Sequence, residues 1–163
     1  MKSNIVKFIA SCGYAGYIPF ASGTFGTMTG VVAVWLVHRF VDINSWDGKF
    51  WYLAVTLAFI AVSIPVSTLA EKAFGKKDAS QIVIDEAVSF FLTMFWLPFT
   101  WKYVLIGFIL NRAFDIVKLE PAEFCQRRFP GGYGVVCDDL VAGIQSHIVL
   151  RLIILLTGKF LLS

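Results

Sequence analysis

The stretch Phe50-Trp51-Tyr52-Leu53-Ala54-Val55-Thr56-Leu57-Ala58-Phe59-Ile60-Ala61-Val62-Ser63-Ile64-Pro65-Val66-Ser67-Thr68-Leu69-Ala70 carries no charged side chain. A helix that crosses a bilayer needs about 20 mainly apolar residues, and this run supplies them. Pro65 is compatible with that reading, because a membrane helix kinks at proline more often than it ends there. The whole chain agrees: 58% of residues are hydrophobic and 15% charged, whereas soluble domains average roughly 45–50% and about 25%. Residues 1–163 therefore read as a single all-α, polytopic integral membrane domain.

Four further apolar stretches flank this one. Residues 1–16, with Ile5, Phe8, Ile9 and Cys12 at helical spacing, predict a short amphipathic helix lying in the membrane interface. Ser22 to Thr27 reads as a Gly- and hydroxyl-rich loop, followed by a first apolar run from Met28 to Val41. After Phe50–Ala70 come a third run, Ile82–Pro98, and a fourth from Trp101 to about Val117, with Trp101 and Tyr103 as interface anchors. Residues 119–137 read as a polar loop, and Asp138 opens a fifth run to about Leu162. About five spans are expected.

Five spans divide the cations unequally. Lys2, Lys7, Lys72, Lys76, Lys77, Arg112, Lys118, Arg127 and Arg128 share one side; Arg39, Lys49, Lys102 and Lys159 share the other, with Arg151 inside the last span. The positive-inside rule makes the first side cytoplasmic. Lys2 and Lys7 precede no long apolar core with a small-residue cleavage site, so no removable signal peptide is expected. Cys12, Cys125 and Cys137 form neither a disulfide framework nor a zinc signature. Nothing points to nucleic acid.

Asp85, Glu86, Asp115, Asp138 and Asp139 all fall on the cation-rich side. Carboxylates at membrane depth are costly unless they serve a site. The bland alternatives are an N-cap for Asp138-Asp139, snorkelling for Asp85-Glu86, and an ion-pair ladder for Arg112, Asp115 and Lys118 at helical spacing. Gathered at one face, the five repel one another and call for a counter-ion, and hard oxygen ligands of this kind suit Mg²⁺. Ser22, Gly23, Thr24 and Gly26, the turn at Gly131 and Gly132, and the cations Arg112 and Lys118 offer donors to a phosphate. The chemistry that fits is phosphoryl transfer or phosphate-ester hydrolysis. His38 and His147 lack ligand-type neighbours and read as packing residues.

Four blocks together resemble the phosphatidylglycerophosphatase A family. They are Ser22-Gly23-Thr24-Phe25-Gly26-Thr27, Ile82-Val83-Ile84-Asp85-Glu86, Arg112-Ala113-Phe114-Asp115-Ile116-Val117-Lys118, and Gly131-Gly132-Tyr133-Gly134 with Asp138-Asp139-Leu140-Val141-Ala142-Gly143. The resemblance implies Mg²⁺-dependent hydrolysis of phosphatidylglycerophosphate to phosphatidylglycerol and phosphate in a bacterial inner membrane, with the site facing the cytoplasm. It implies Asp85, Glu86, Asp138 and Asp139 as metal ligands, Asp115 as a further ligand or base, and either metal-activated water or a carboxylate as nucleophile. Ser22 stands where the family usually has Pro, Ser89 where it usually has Gly, and Leu119 where Pro is common; every carboxylate is kept. Another class, a small cation transporter or channel subunit, would use the same carboxylates. It is disfavoured because they cluster at one face and the opposite half of each span offers no polar pathway. A CDP-alcohol phosphotransferase would need an Asp-Gly-x-x-Ala-Arg signature, and histidine-dependent lipid phosphatases would need paired histidines; neither pattern is present.

Overall fold

The computed structural model describes residues 2–117, 120–129 and 131–157. Among them every regular element is helical. The helices are α1 (Lys2–Ala10), α2 (Ser22–Phe40), α3 (Trp46–Phe74), α4 (Ile84–Thr93), α5 (Trp101–Val117), α6 (Ala122–Arg128) and α7 (Gly132–Thr157), with one 3₁₀ turn at Ala15–Tyr17. Helices α3 and α7 are long and apolar enough to cross a membrane, and only 22% of the most apolar window of each is buried. Their outer faces, and those of α2 and α5, show Val32, Leu57, Leu105 and Ile148 each more than half exposed. Contiguous exposed apolar surface of this kind is unfavourable in water and neutral in hydrocarbon. It fits a membrane protein.

Local chemistry explains the boundaries of α3. Ser45 caps it, its Oγ accepting from the Gly48 N–H at 2.9 Å. Gly75 ends it in the left-handed region at φ 68°. Pro65 lies inside the helix, as the sequence predicts.

Three expectations are corrected. The first concerns Ser22–Thr27, which is not a loop but the first turns of α2. Its glycines serve close packing: a Cβ on Gly26 would lie 2.7 Å from Val83 Cβ, and one on Gly30 would lie 2.7 Å from the Ala87 carbonyl. Gly23, Gly26 and Gly30 share one helical face, a small-residue seam that brings α2 onto α4.

The second concerns the run Ile82–Pro98. It forms a helix of only ten residues, about 15 Å long and half the roughly 30 Å hydrocarbon thickness. A helix that stops at depth leaves carbonyls that must find donors inside the protein. They do. Tyr52 Oη donates to Phe91 O at 3.0 Å, and Arg151 Nη2 donates to Trp96 O at 3.2 Å. His147 Nδ1 lies 3.2 Å from Thr93 O, and His38 Nε2 lies 3.0 Å from Leu97 O. The far half of the bundle is thus not devoid of polar groups; they are committed to the end of α4. Of the five expected crossings, α3 and α7 meet the length and hydropathy requirement.

The third concerns the last helix, which begins at Gly132 and not at Asp138. Asp138 and Asp139 sit in its second turn, so neither is an N-cap. Gly131, at φ 60°, turns the chain, and the Gly132 N–H donates to Thr68 Oγ1 at 3.1 Å on α3. The loop expected at 119–137 also contains α6.

Candidate active site

Helix α4 carries Asp85 and Glu86 in its first turn, where the helix dipole favours negative charge. Packed beside it, α7 contributes Asp138 and Asp139, and α5 contributes Asp115 near its C-terminal end. Together with Ser22 at the start of α2 and Asp78, Ser80 and Ile82 from the α3–α4 connection, these line a cavity of about 280 Å³. Ile116 and Val135 complete its wall. Asp85 and Asp139 are 3% and 5% exposed, so their charges are largely removed from solvent.

One oxygen each from Asp85, Glu86 and Asp139 falls in a set whose members all lie within 4.8 Å of one another. Magnesium holds oxygens at about 2.0–2.1 Å, so ligands across the ion stand about 4 Å apart. A set no wider than 4.8 Å is within reach of one shared ion. Glu86 Oε2 is buried and has no hydrogen-bond partner, which is unfavourable unless a cation or proton supplies one. Donor type, spacing and this orphaned oxygen all fit a hard divalent cation such as Mg²⁺.

Arg112 stands beside the cluster. Its Nη1 pairs with Asp115 Oδ2 at 2.7 Å, one turn along α5, which fixes the guanidinium. Its buried Nε has no hydrogen-bond partner. Lys118 lies outside the described residues. Glu86 and Arg112 converge over Gly23: a Cβ there would lie 2.6 Å from Glu86 Oε1 and 2.8 Å from Arg112 Nη2. Gly23→Ala should therefore fold, since side-chain ends can yield, yet displace both groups. Phosphate release should fall about 10–100-fold, the scale of a misplacement of about 1 Å, while the thermal midpoint stays within a few degrees. Steady-state kinetics and a melting curve check this together.

The remaining sequence candidates fall elsewhere. Thr24, Gly26, Gly131 and Gly132 are not among the residues that line the cavity; Gly26 packs on Val83 and Gly132 on Thr68. Sequence reasoning passed over Asp78 and Ser80, whose only signal was a loop on the carboxylate side. It also passed over Asn111 and Thr93, single polar residues inside apolar helices. Cys125 and Cys137 are free thiols with Sγ atoms 2.7 Å apart.

Comparisons with known proteins place the chain in a family. The family described as phosphatidylglycerophosphatase A matches residues 8–154. The chain is 29% identical over 140 residues to "Phosphatidylglycerophosphatase A" of Escherichia coli (strain K12), covering 85% of this chain and 77% of that protein. It is 28% identical over 137 residues to the protein of the same name from Haemophilus influenzae, covering 83% and 80%. It is also 31% identical over 141 residues to a Bacteroides thetaiotaomicron protein named "Putative phosphatidylinositol-3-phosphatase", covering 83% and 85%. No solved structure matches the chain. With a family match over nearly the whole chain and a buried carboxylate cluster in the matched segment, the chain belongs to the phosphatidylglycerophosphatase A family and is a phosphoric monoester hydrolase.

Proposed function

We propose that the protein hydrolyses the terminal phosphomonoester of phosphatidylglycerophosphate, releasing phosphatidylglycerol and phosphate, in a Mg²⁺-dependent reaction at the cytoplasmic face of a bacterial inner membrane. The observation that carries this reading is the convergence of Asp85, Glu86 and Asp139 in a cavity beside Arg112, within a bundle whose outer surface is apolar. Asp85, Glu86, Asp138 and Asp139 would hold the ion. When bound, Mg²⁺ supplies charge for the phosphoryl oxygens and a more acidic water.

The chain's own residues bind and orient. The Arg112 guanidinium, held by Asp115, contacts phosphate oxygens, and Lys118 adds a second cation. Asp115 serves as a further ligand or base. Ser22 and the N-terminal turn of α2, with Gly23, Thr24 and Gly26, bring the positive end of a helix to the cavity rim. Gly131 and Gly132 contribute by seating the start of α7 against α3.

A cytoplasmic site is supported by Lys72, Lys76 and Lys77, which immediately precede the cavity residues Asp78 and Ser80. Five crossings, the finer topology we propose with it, are the arrangement under which the cations divide unequally between the two sides. The names of the relatives differ in the lipid headgroup, so the test is a comparison of headgroups. Purified protein in detergent micelles with Mg²⁺ should release phosphate from phosphatidylglycerophosphate at least about tenfold faster, in kcat/KM, than from phosphatidylinositol 3-phosphate, a discrimination equivalent to about 1.4 kcal/mol. Release from the inositol lipid alone would overturn the assignment.

A further inference from the structure

One helical turn below the carboxylates lies a second polar layer that phosphate hydrolysis does not itself require. Ser89 Oγ donates to the Asp139 carbonyl at 2.6 Å, joining α4 to α7. Asn111 Nδ2 on α5 donates to Ser89 Oγ at 2.7 Å and to Thr93 Oγ1 at 3.0 Å. All three side chains are essentially inaccessible, at 0–1% exposure. The arrangement repeats on each helix. Ser89 follows Asp85 by four residues, Asn111 precedes Asp115 by four, and Gly143 follows Asp139 by four, so each partner lies directly beneath its carboxylate. Gly143 admits the contact, since a Cβ there would lie 2.9 Å from Ser89 Oγ and 2.5 Å from Ser89 O.

We propose that Ser89, Asn111 and Thr93 form a positioning clasp that fixes the depth of α4, α5 and α7 relative to one another, and thereby the spacing of Asp85, Arg112–Asp115 and Asp139. The proposal rests on the phosphatase reading above. Interhelical hydrogen bonds in membranes contribute little each to stability, whereas a misplacement of about 1 Å at a catalytic constellation costs about 10²-fold. The clasp should therefore be felt far more in turnover than in folding. Its chemistry is directional: Ser89 Oγ accepts from Asn111 and donates to the Asp139 carbonyl, so the side chain at that position must supply both a donor and an acceptor.

The variants are Asn111→Leu and the double variant Ser89→Ala/Asn111→Leu, which removes both partners and leaves no orphaned donor. Measured in micelles, kcat should fall about 10–100-fold, the range for residues supporting metal ligands. KM should stay within about threefold, as expected when ground-state binding is kept. The ion-free thermal midpoint should stay within about 5 °C, and the rise in midpoint on adding Mg²⁺ should be lost or reduced. If Asn111→Leu does not fold, Ser89→Ala, which keeps the Asn111–Thr93 bond, should still lower kcat about tenfold. Wild-type kcat with an intact Mg²⁺-induced rise in the folded double variant overturns the clasp. So does an equal fall in kcat in Arg151→Met, which loosens the opposite end of α4. A wild-type protein that neither releases phosphate nor responds to Mg²⁺ would instead remove the phosphatase reading beneath it.

Discussion

Replacing Asp139 with asparagine should reduce phosphate release by about 10³-fold or more, the loss expected when a metal-site carboxylate is neutralised. The same change should raise the ion-free thermal midpoint. Asp139 is 5% exposed and presents an oxygen within 4.8 Å of those of Asp85 and Glu86. Three carboxylates, two of them buried and one half-buried, repel one another without a cation, and an amide of the same shape relieves that repulsion. Stability held below its optimum for the sake of activity is common at functional sites. A gain of about 1 kcal/mol corresponds to roughly 2–4 °C at this chain length. Asp85→Asn should behave alike. Activity and melting of one preparation, without added metal for the melt, check both signs together. A variant that loses activity and stability in parallel would mean that Asp139 is structural.

The second large effect concerns Gly30. Substitution by leucine should lower the thermal midpoint by about 6–12 °C or prevent assembly. A Cβ at Gly30 would lie 2.7 Å from the Ala87 carbonyl, 2.9 Å from Phe90 Cβ and 3.0 Å from Ala87 Cα. Most of these atoms belong to the α4 backbone, which cannot swing aside as a side chain can. Overpacking typically costs 1–3 kcal/mol, and a rigid helix face brings the expected cost to about 3 kcal/mol or more, equivalent at roughly 2–4 °C per kcal/mol to the range given. Gly75 is the control. Nothing lies within 4 Å of its missing Cβ, and its φ of 68° is the sole constraint, so Gly75→Ala should cost only about 1 kcal/mol. If Gly30→Leu melts like Gly75→Ala, α2 does not pack on α4 through its glycine face.

These two positions show how much of the molecule was legible in the sequence. Helical class and membrane character were plain, because long uncharged runs such as Phe50–Ala70 have few other uses. The carboxylates were plain too, since charge in such runs needs a reason. Less legible was the role of glycine. Gly23 and Gly26 read as loop formers because glycine is a poor helix residue in water, yet in a membrane bundle close approach outweighs propensity. The same error moved the start of α7: Gly132 and Gly134 looked like a turn and are helical.

The shortness of α4 was half visible. Few apolar residues separate Glu86 from Pro98, but its end is sustained by donors from distant helices: Tyr52, His38, His147 and Arg151. No local pattern announces such partners. Ser89, Thr93 and Asn111 were invisible for a related reason, as single polar residues in apolar runs carry no periodicity. Their meaning arises only when three helices meet.

The most direct measurement of the metal-site reading is phosphate release from phosphatidylglycerophosphate by the purified protein in micelles, before and after chelation. The expected result is release with Mg²⁺, none in EDTA, and full recovery when excess Mg²⁺ is restored. Undiminished release in EDTA would contradict a reaction that depends on the Asp85–Glu86–Asp139 cluster holding a divalent cation.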